Sequence, residues 1–299
     1  MMKQAQQHLD AGQFAEAESI YRTVIQEDAA NTQAVFMLAL TRQAQGDLDE
    51  AISLMGRAAN QEPDNANIHY TMGTLQMSAK QVGEARKSYL TALQADPTHL
   101  ESHNGLAFVE LIDGNYRAAE NAANLALNED SRNVQALVYM GTAKLEQGDS
   151  TKAISYLQEA LKEAPTHQSA QLHLGRAFLA AGNIAFATQC FQNMVDADDT
   201  AAIGWEFLAK ALVAGGDHAA AAQCFEKAFS LGRQSPDVMA AIQEIRKAGS
   251  PDPAGAAATA TPDDVITAAE LEIAKGNPAA ALKVLEAAPA DYRVSILRA

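Results

Sequence analysis

The sequence predicts an all-α fold, a solenoid in which pairs of antiparallel helices stack along the chain. Glycine recurs on a grid of 34 residues, and Lys80 occupies the one grid point without it. A small residue follows each grid point by five positions. Apolar residues recur at three- and four-residue spacing on both sides of the grid points, as in amphipathic helices. The glycines on the grid are Gly12, Gly46, Gly114, Gly148, Gly182 and Gly216.

The small residues predict close contact between the paired helices, because short side chains let two helix backbones approach. They are Ala17, Ala51, Ala85, Ala119, Ala153, Ala187 and Ala221. Four positions after each of them a bulky residue is expected to fill the adjoining groove, with Ala123 as the exception. These bulky residues are Tyr21, Met55, Tyr89, Leu157, Phe191 and Phe225.

Each period is expected to contain a helix A before its grid point and a helix B after it. In the second repeat the pattern predicts helix A over about 32–45 and helix B over about 48–60. The grid glycine ends helix A, because it adopts a left-handed conformation without the energetic cost that other residues incur. Prolines such as Pro63, Pro97 and Pro165 end the repeat, since proline disfavours helix in the residue before it.

The period and its signature residues resemble those of the tetratricopeptide repeat family. Trp205 stands at the family's tryptophan position, and seven repeats cover roughly residues 1–233. The resemblance implies a right-handed superhelix that binds a protein or peptide, without identifying the partner. The positions that match the family's Leu-Gly pair are Leu38-Ala39, Met72-Gly73, Leu106-Ala107, Met140-Gly141, Leu174-Gly175 and Leu208-Ala209.

Composition divides the chain into three predicted segments. Residues 1–248 form the solenoid of seven repeats with a polar capping helix at its end. Residues 249–262 form a flexible linker rich in Pro, Gly, Ala and Thr. Residues 263–299 form a further helical hairpin and the start of another helix. Either these last helices fold back on the solenoid or the natural protein continues beyond Ala299, and we favour continuation.

The charge balance argues against polyanionic partners. The chain has 22 Lys+Arg and 37 Asp+Glu, a formal net charge of −15. This charge repels nucleic acid and anionic membrane surfaces. No apolar run reaches the length of a signal peptide or a membrane span, so we expect no membrane insertion and a cytoplasmic location. Removal of a signal peptide would leave a periplasmic location open.

The resemblance implies that the A helices line a concave groove. Its apolar and aromatic side chains suit a helix or an extended peptide of a partner. Arg176 and Lys210 would hold an acidic group of the ligand, or they are solvated charges balanced by Glu206. The predicted partner-binding residues are Phe36, Leu40, Tyr70, Met77, Phe108, Leu111, Tyr139, Leu172, His173, Arg176, Phe207 and Lys210.

One subclass of the family binds a C-terminal carboxylate through a clamp of Lys, Asn and Arg on three successive A helices. The corresponding positions do not supply those side chains in this sequence, so the clamp is not expected here. In repeats two to four they are Phe36, Leu40, Thr71, Glu101 and Gly105.

No motif predicts an enzyme, a cofactor or a metal. Gly-rich phosphate loops, His-Glu-x-x-His and nucleophile elbows are all missing from the sequence. His99 and His103 are spaced to share a metal, but no cysteine or carboxylate pattern accompanies them. Cys190 and Cys224 lie one repeat apart, too far for a disulfide, and are expected to be reduced.

Two functions are consistent with these observations. The first is an interaction scaffold that holds a peptide or helix of a partner. The alternative is the substrate-recruiting arm of a larger enzyme, such as a glycosyltransferase or sulfotransferase, which would follow residue 299. Self-association through the C-terminal helices is a third possibility, because an uncapped solenoid end tends to stack.

Overall fold

A computed structural model describes residues 1–233 together with Val238, Ala240 and Ile242. In this part of the chain every regular element is an α-helix, which confirms the all-α repeat solenoid. The helices are α1 Met2–Asp10, α2 Phe14–Glu27, α3 Thr32–Ala44, α4 Leu48–Gln61, α5 Ala66–Ser78, α6 Val82–Ala95, α7 Leu100–Ile112, α8 Tyr116–Glu129, α9 Val134–Glu146, α10 Ser150–Glu163, α11 Gln168–Ala180, α12 Ile184–Ala197, α13 Ala202–Ala214 and α14 His218–Ser230. Odd-numbered helices are the A helices and even-numbered helices the B helices.

The chain forms two compact units, Met1–Cys190 and Phe191–Ala299. In the first unit, consecutive helices from α1 to α11 pack on one another. In the second, α13 packs on α14. The predicted linker 249–262, the hairpin 263–299 and all but three residues of the predicted capping helix lie outside the described residues. Those segments therefore stay predictions.

The turn from helix A to helix B has the same geometry at every grid point. After α3, Gly46 N–H donates to the Gln43 carbonyl and Asp47 N–H to the Arg42 carbonyl, both at 2.9 Å. These two bonds define a Schellman motif, whose central residue has a positive φ. Gly46 has φ +88°, and Lys80 reaches φ +60° at the point where the glycine is missing. The grid therefore specifies a backbone conformation, which Lys80 adopts at a cost.

Close helix contact depends on residues that lack bulk, as predicted. Tyr89 on α6 is an example, because its ring lies between two glycines of neighbouring A helices. A Cβ atom added at Gly73 would lie 2.6 Å from this ring, and one added at Gly105 would lie 2.7 Å from it. The predicted small residues Ala17, Ala51, Ala85, Ala119, Ala153, Ala187 and Ala221 are all fully buried.

At the start of α5, α7, α11 and α13 a planar side chain donates a hydrogen bond to a backbone carbonyl six residues earlier. The His103 ring Nε2 lies 2.8 Å from the Pro97 carbonyl oxygen and must donate, because that oxygen can only accept. His69 makes the same bond to Pro63 at 2.8 Å. Gln171 Nε2 and Trp205 Nε1 donate to the carbonyls six residues before them as well. We call this bond the N-terminal lock.

The residue that caps the start of helix A also differs in type between repeats but makes the same hydrogen bond. The amide oxygens of Asn31 and Asn133 accept a hydrogen bond from the backbone N–H three residues later. In α7 and α11 the ring Nδ1 of His99 or His167 accepts this bond at 3.2 Å. The histidines thus satisfy backbone donors that every helix start leaves open.

Replacing Lys80 by glycine should stabilise the protein by about 0.5–1 kcal/mol, because the left-handed conformation is unfavourable for residues with a Cβ atom. Gly46→Ala is the matched control and should destabilise by about 1 kcal/mol. A Cβ atom at Gly46 meets nothing within 4 Å, so this loss reports backbone conformation alone. Chemical denaturation followed by circular dichroism measures the free energy of unfolding of both variants. A destabilised Lys80→Gly protein would contradict an unfavourable backbone conformation at Lys80.

The lock can be tested at His103 with two substitutions of similar size. His103→Gln should leave the free energy of unfolding within about 0.5 kcal/mol, because glutamine provides the donor at Gln171. His103→Met removes the donor and should cost about 1–2 kcal/mol, since the Pro97 carbonyl loses its partner. Equal losses in the two variants would show that ring packing, and not the hydrogen bond, fixes the turn.

Candidate functional site

The A helices of the first unit form a continuous layer. Helices α5, α7, α9 and α11 contact one another in succession, in addition to their own B helices. We call the solvent-facing side of α3, α5, α7, α9 and α11 the A face. Helix α5 has no charged residue, and α3 and α11 have one each, Arg42 and Arg176. This layer is therefore poor in charge within a protein of net charge −15.

Aromatic rings cluster on the middle of the A face. Phe108 on α7 stacks on Tyr139 of α9, with 5.8 Å between ring centroids. Tyr70 on α5 lies 5.5 Å from the His99 ring at the start of α7. We call Tyr70, His99, Phe108 and Tyr139 the aromatic row. Phe108 is 40% exposed, so a large part of its ring is open to solvent.

Tyr89 is buried beneath the aromatic row and contacts Tyr70. Its ring centroid lies 5.9 Å from that of Tyr70, and its position between Gly73 and Gly105 leaves it no freedom to move. Burial raises the pKa of Tyr89, and burial raises the pKa of Tyr139 to about 12. Both hydroxyl groups are therefore protonated at neutral pH and carry no negative charge.

The other apolar residues predicted for the groove are less accessible. Phe36 is half-buried against the core that surrounds Val35 and Met55. Met77 packs against the cluster of Tyr89 and Val109. Leu40, Leu111 and Leu172 are also half-buried. These residues border the A face, and only part of each side chain is available to a partner.

The sequence analysis missed Ile112, which is 51% exposed. It follows Phe108 by four residues and therefore stands on the same face of α7. The equivalent positions of the neighbouring repeats are Ser78 and Glu146. An apolar residue at a position that is polar in the repeats on either side was the available signal.

His173 and Arg176 form a paired group on α11. Arg176 Nη2 lies 2.7 Å from Glu146 Oε1 of the preceding A helix, and its Nη1 lies 3.1 Å from His173 Nδ1. Burial, together with the adjacent guanidinium, lowers the pKa of His173 to about 4. His173 is neutral at pH 7, and the charge of Arg176 is already balanced by Glu146.

Phe207 and Lys210 belong to the second unit. Phe207 stacks on Phe191 with 5.5 Å between ring centroids, and Lys210 Nζ lies 4.8 Å above the Phe207 ring. Lys210 Nζ is 2.6 Å from Glu206 Oε1, and Arg233 also binds this carboxylate. Burial opposes ionisation of Glu206, but these two cations outweigh it and lower its pKa. Lys210 is thus engaged within the repeat.

The histidines and cysteines have structural surroundings. His99 caps α7, and its Nε2 lies 3.1 Å from Asn67 Oδ1, while His103 makes the N-terminal lock. Across residues 1–233, no three His, Cys, Asp or Glu side chains converge as a metal site would require. Cys190 and Cys224 are free thiols whose pKa values are raised by burial.

A family model described as a tetratricopeptide repeat matches residues 8–70, 42–107 and 144–211, and a second model with the same description matches 203–234. The first model alone covers more than half of the chain. The chain belongs to the tetratricopeptide repeat family. No curated protein matches it.

Solved structures share the fold at low sequence identity. A tetratricopeptide repeat protein from Parabacteroides merdae is 19% identical and has a TM-score of 0.67, covering 82% of this chain and 96% of that one. PilF from Pseudomonas aeruginosa is 17% identical with a TM-score of 0.61, covering 74% and 98%. The Cut9–Hcn1 structure is 17% identical with a TM-score of 0.63, covering 95% and 54%. Identities this low establish the fold alone.

Among the helices of the described residues, none combines the length and the apolar character needed to cross a membrane.

Stability should depend on pH through His173. Its pKa in the folded state is about 4, below the ordinary value of 6.5, so the unfolded chain binds more protons between these values. The stability that neutral His173 contributes to the folded state is fully present above pH 6.5 and is lost as the pH falls towards 4. Between pH 7 and pH 5 we expect His173→Gln to lose about 1–2 kcal/mol less stability than the native protein. Chemical denaturation at the two pH values measures the free energy of unfolding. An equal decrease in the native protein and in His173→Gln would contradict a neutral, buried His173.

Proposed function

We propose that the first unit is an interaction scaffold that binds a peptide or helix of a partner protein on its A face. The observation that carries this proposal is the exposed pair Phe108 and Ile112 beside Tyr139. Phe108 and Ile112 are 40% and 51% exposed although both are large and apolar. Contact with a partner would remove this surface from water, which favours association in proportion to the apolar area buried.

The surroundings of the pair favour a binding site. Tyr139 and Tyr89 hold Phe108 and Tyr70 in fixed positions, so binding would order few side chains and lose little conformational entropy. Half-buried Phe36, Leu40, Met77, Leu111 and Leu172 extend the apolar surface to both sides. Aromatic residues that are held rigidly by their neighbours are the usual anchors of protein interfaces.

Binding, and not catalysis, is the role that these side chains support. Tyr139 has a pKa of about 12 and stays protonated, and the phenylalanine ring carries no reactive group. The Cut9 protein, which shares this fold, is found with Hcn1 in a hetero-tetramer. An assembly role of that kind is what we propose for the present chain. In the second unit, Phe207 with Lys210 above its ring is proposed as a separate contact.

The test compares two exposed apolar residues on opposite layers of the first unit. Phe108→Ser removes the anchor on the A face, while Leu125→Ser changes a residue on α8 that is 47% exposed. Each variant and the native chain are immobilised, and proteins retained from a lysate of the source organism are quantified by mass spectrometry. We expect Phe108→Ser to reduce retention of the partner at least about tenfold, the effect of losing one hot-spot residue. Leu125→Ser should leave it unchanged.

Thermal unfolding of both variants controls for misfolding. Because both side chains are substantially exposed, each substitution should cost less than about 1 kcal/mol. Undiminished retention by a folded Phe108→Ser protein would refute the A face as the binding site, and so would equal losses in the two variants.

A further inference from the structure

The aromatic row ends beside a cavity of different chemistry. A cavity of about 550 Å³ opens at the N-terminal ends of α5 and α7 in the first unit. Three of its lining residues, Glu62, Asp64 and Asp96, are acidic, and no Lys or Arg lines it within the described part of the chain. Its volume is that of a site for a small group, large enough for one long side chain.

His99 joins the two regions. Its ring lies 5.5 Å from Tyr70 in the aromatic row and also lines the acidic cavity. The ring is fixed on both sides, because Nδ1 accepts the Ser102 N–H at 3.2 Å and Nε2 lies 3.1 Å from Asn67 Oδ1. A ligand that follows the row past Tyr70 therefore reaches the cavity next.

Two carboxylates of the cavity, those of Glu62 and Asp96, are held in the ionised form. Hydrogen bonds from Asn65 and Thr32 lower the pKa of Glu62, and those from Thr98 lower the pKa of Asp96. Asp64 is exposed and accepts no hydrogen bond within the described residues, so its carboxylate is available to a ligand. Three negative charges around one opening attract a cation, and their individual attractions add.

From this juxtaposition we propose that the A face binds an apolar segment of a partner protein that carries a lysine or arginine at one end. The apolar side chains contact Phe108, Ile112 and Tyr70, and the basic side chain enters the cavity of Glu62, Asp64 and Asp96. This inference rests on the proposed function and adds the chemistry of the partner. An apolar segment with an acidic end is rejected, because its charge would meet the same three carboxylates.

Charge complementarity supports this occupant over an uncharged one. The A face offers an incoming apolar chain few charges to desolvate, because helix α5 has none and Arg176 on α11 is paired with Glu146. The cavity, in contrast, concentrates negative charge in a protein of net charge −15. A basic residue therefore gains a favourable interaction at the cavity, which fixes the position of the segment along the groove.

Panning of phage-displayed random dodecapeptides on the full chain tests the proposal. We expect the selected peptides to share apolar residues followed or preceded by Lys or Arg. In the strongest synthetic peptide, norleucine in place of that basic residue should weaken binding about tenfold, the effect of one partly buried ion pair. Fluorescence anisotropy of the labelled peptides measures both affinities.

Matched variants of the protein separate the two sites. Asp64→Asn should reduce the difference between the lysine and norleucine peptides and leave the affinity for the norleucine peptide unchanged. Asp49→Asn removes an equal charge from another exposed carboxylate, at the start of α4, and should preserve the difference. Phe108→Ser should weaken both peptides.

The possible failures are distinguishable. Selected peptides that are apolar without a basic residue, or a lysine preference that is undiminished in Asp64→Asn, would overturn the inference and leave the groove intact. If the native chain enriches no peptide relative to Phe108→Ser, the proposed function fails and the inference fails with it.

Discussion

Close contact between helices at small side chains is the constraint on which the rest of this structure depends. Ala51, Ala85 and their equivalents are fully buried, and Tyr89 fits only because Gly73 and Gly105 lack Cβ atoms. A single pair of helices cannot bury its apolar faces, so each repeat needs the next one. The tight turns serve the same need, since they have the same hydrogen bonds and a left-handed residue at the same position in every repeat.

Polar interactions then fix how one repeat meets the next. Glu18 on α2 binds Arg42 on α3, and Arg86 on α6 binds Glu110 on α7. Both pairs span 24 residues, with the charges exchanged between the helices. Such partly buried pairs add modest stability but disfavour other alignments of the helices. They also place charge at the helix interfaces and away from the aromatic row, where an apolar partner is proposed to bind.

Several residues that look reactive in the sequence have a structural role. His69 and His103 occupy the position of Trp205, and all three donate an N–H group to a carbonyl six residues earlier. The geometry accepts any planar donor of suitable length, as Gln171 shows. Sequence comparison of the repeats reveals the shared position but not the shared bond, because the acceptor is a backbone atom that leaves no trace in the residue types.

The sequence by itself determined the repeat and the helix pairs, and in the second repeat the ends of α3 and α4 to within one residue, because grid glycines and apolar spacing act locally. Only the tertiary structure decided which predicted groove residues are accessible. Phe108 is exposed while its equivalent Leu40 is half-buried, and Arg176 is paired with Glu146, 30 residues away. The acidic cavity beside Tyr70 also depends on two successive repeats. Exposure and pairing are set by side chains of the adjacent repeat, so the pattern within a single repeat does not record them.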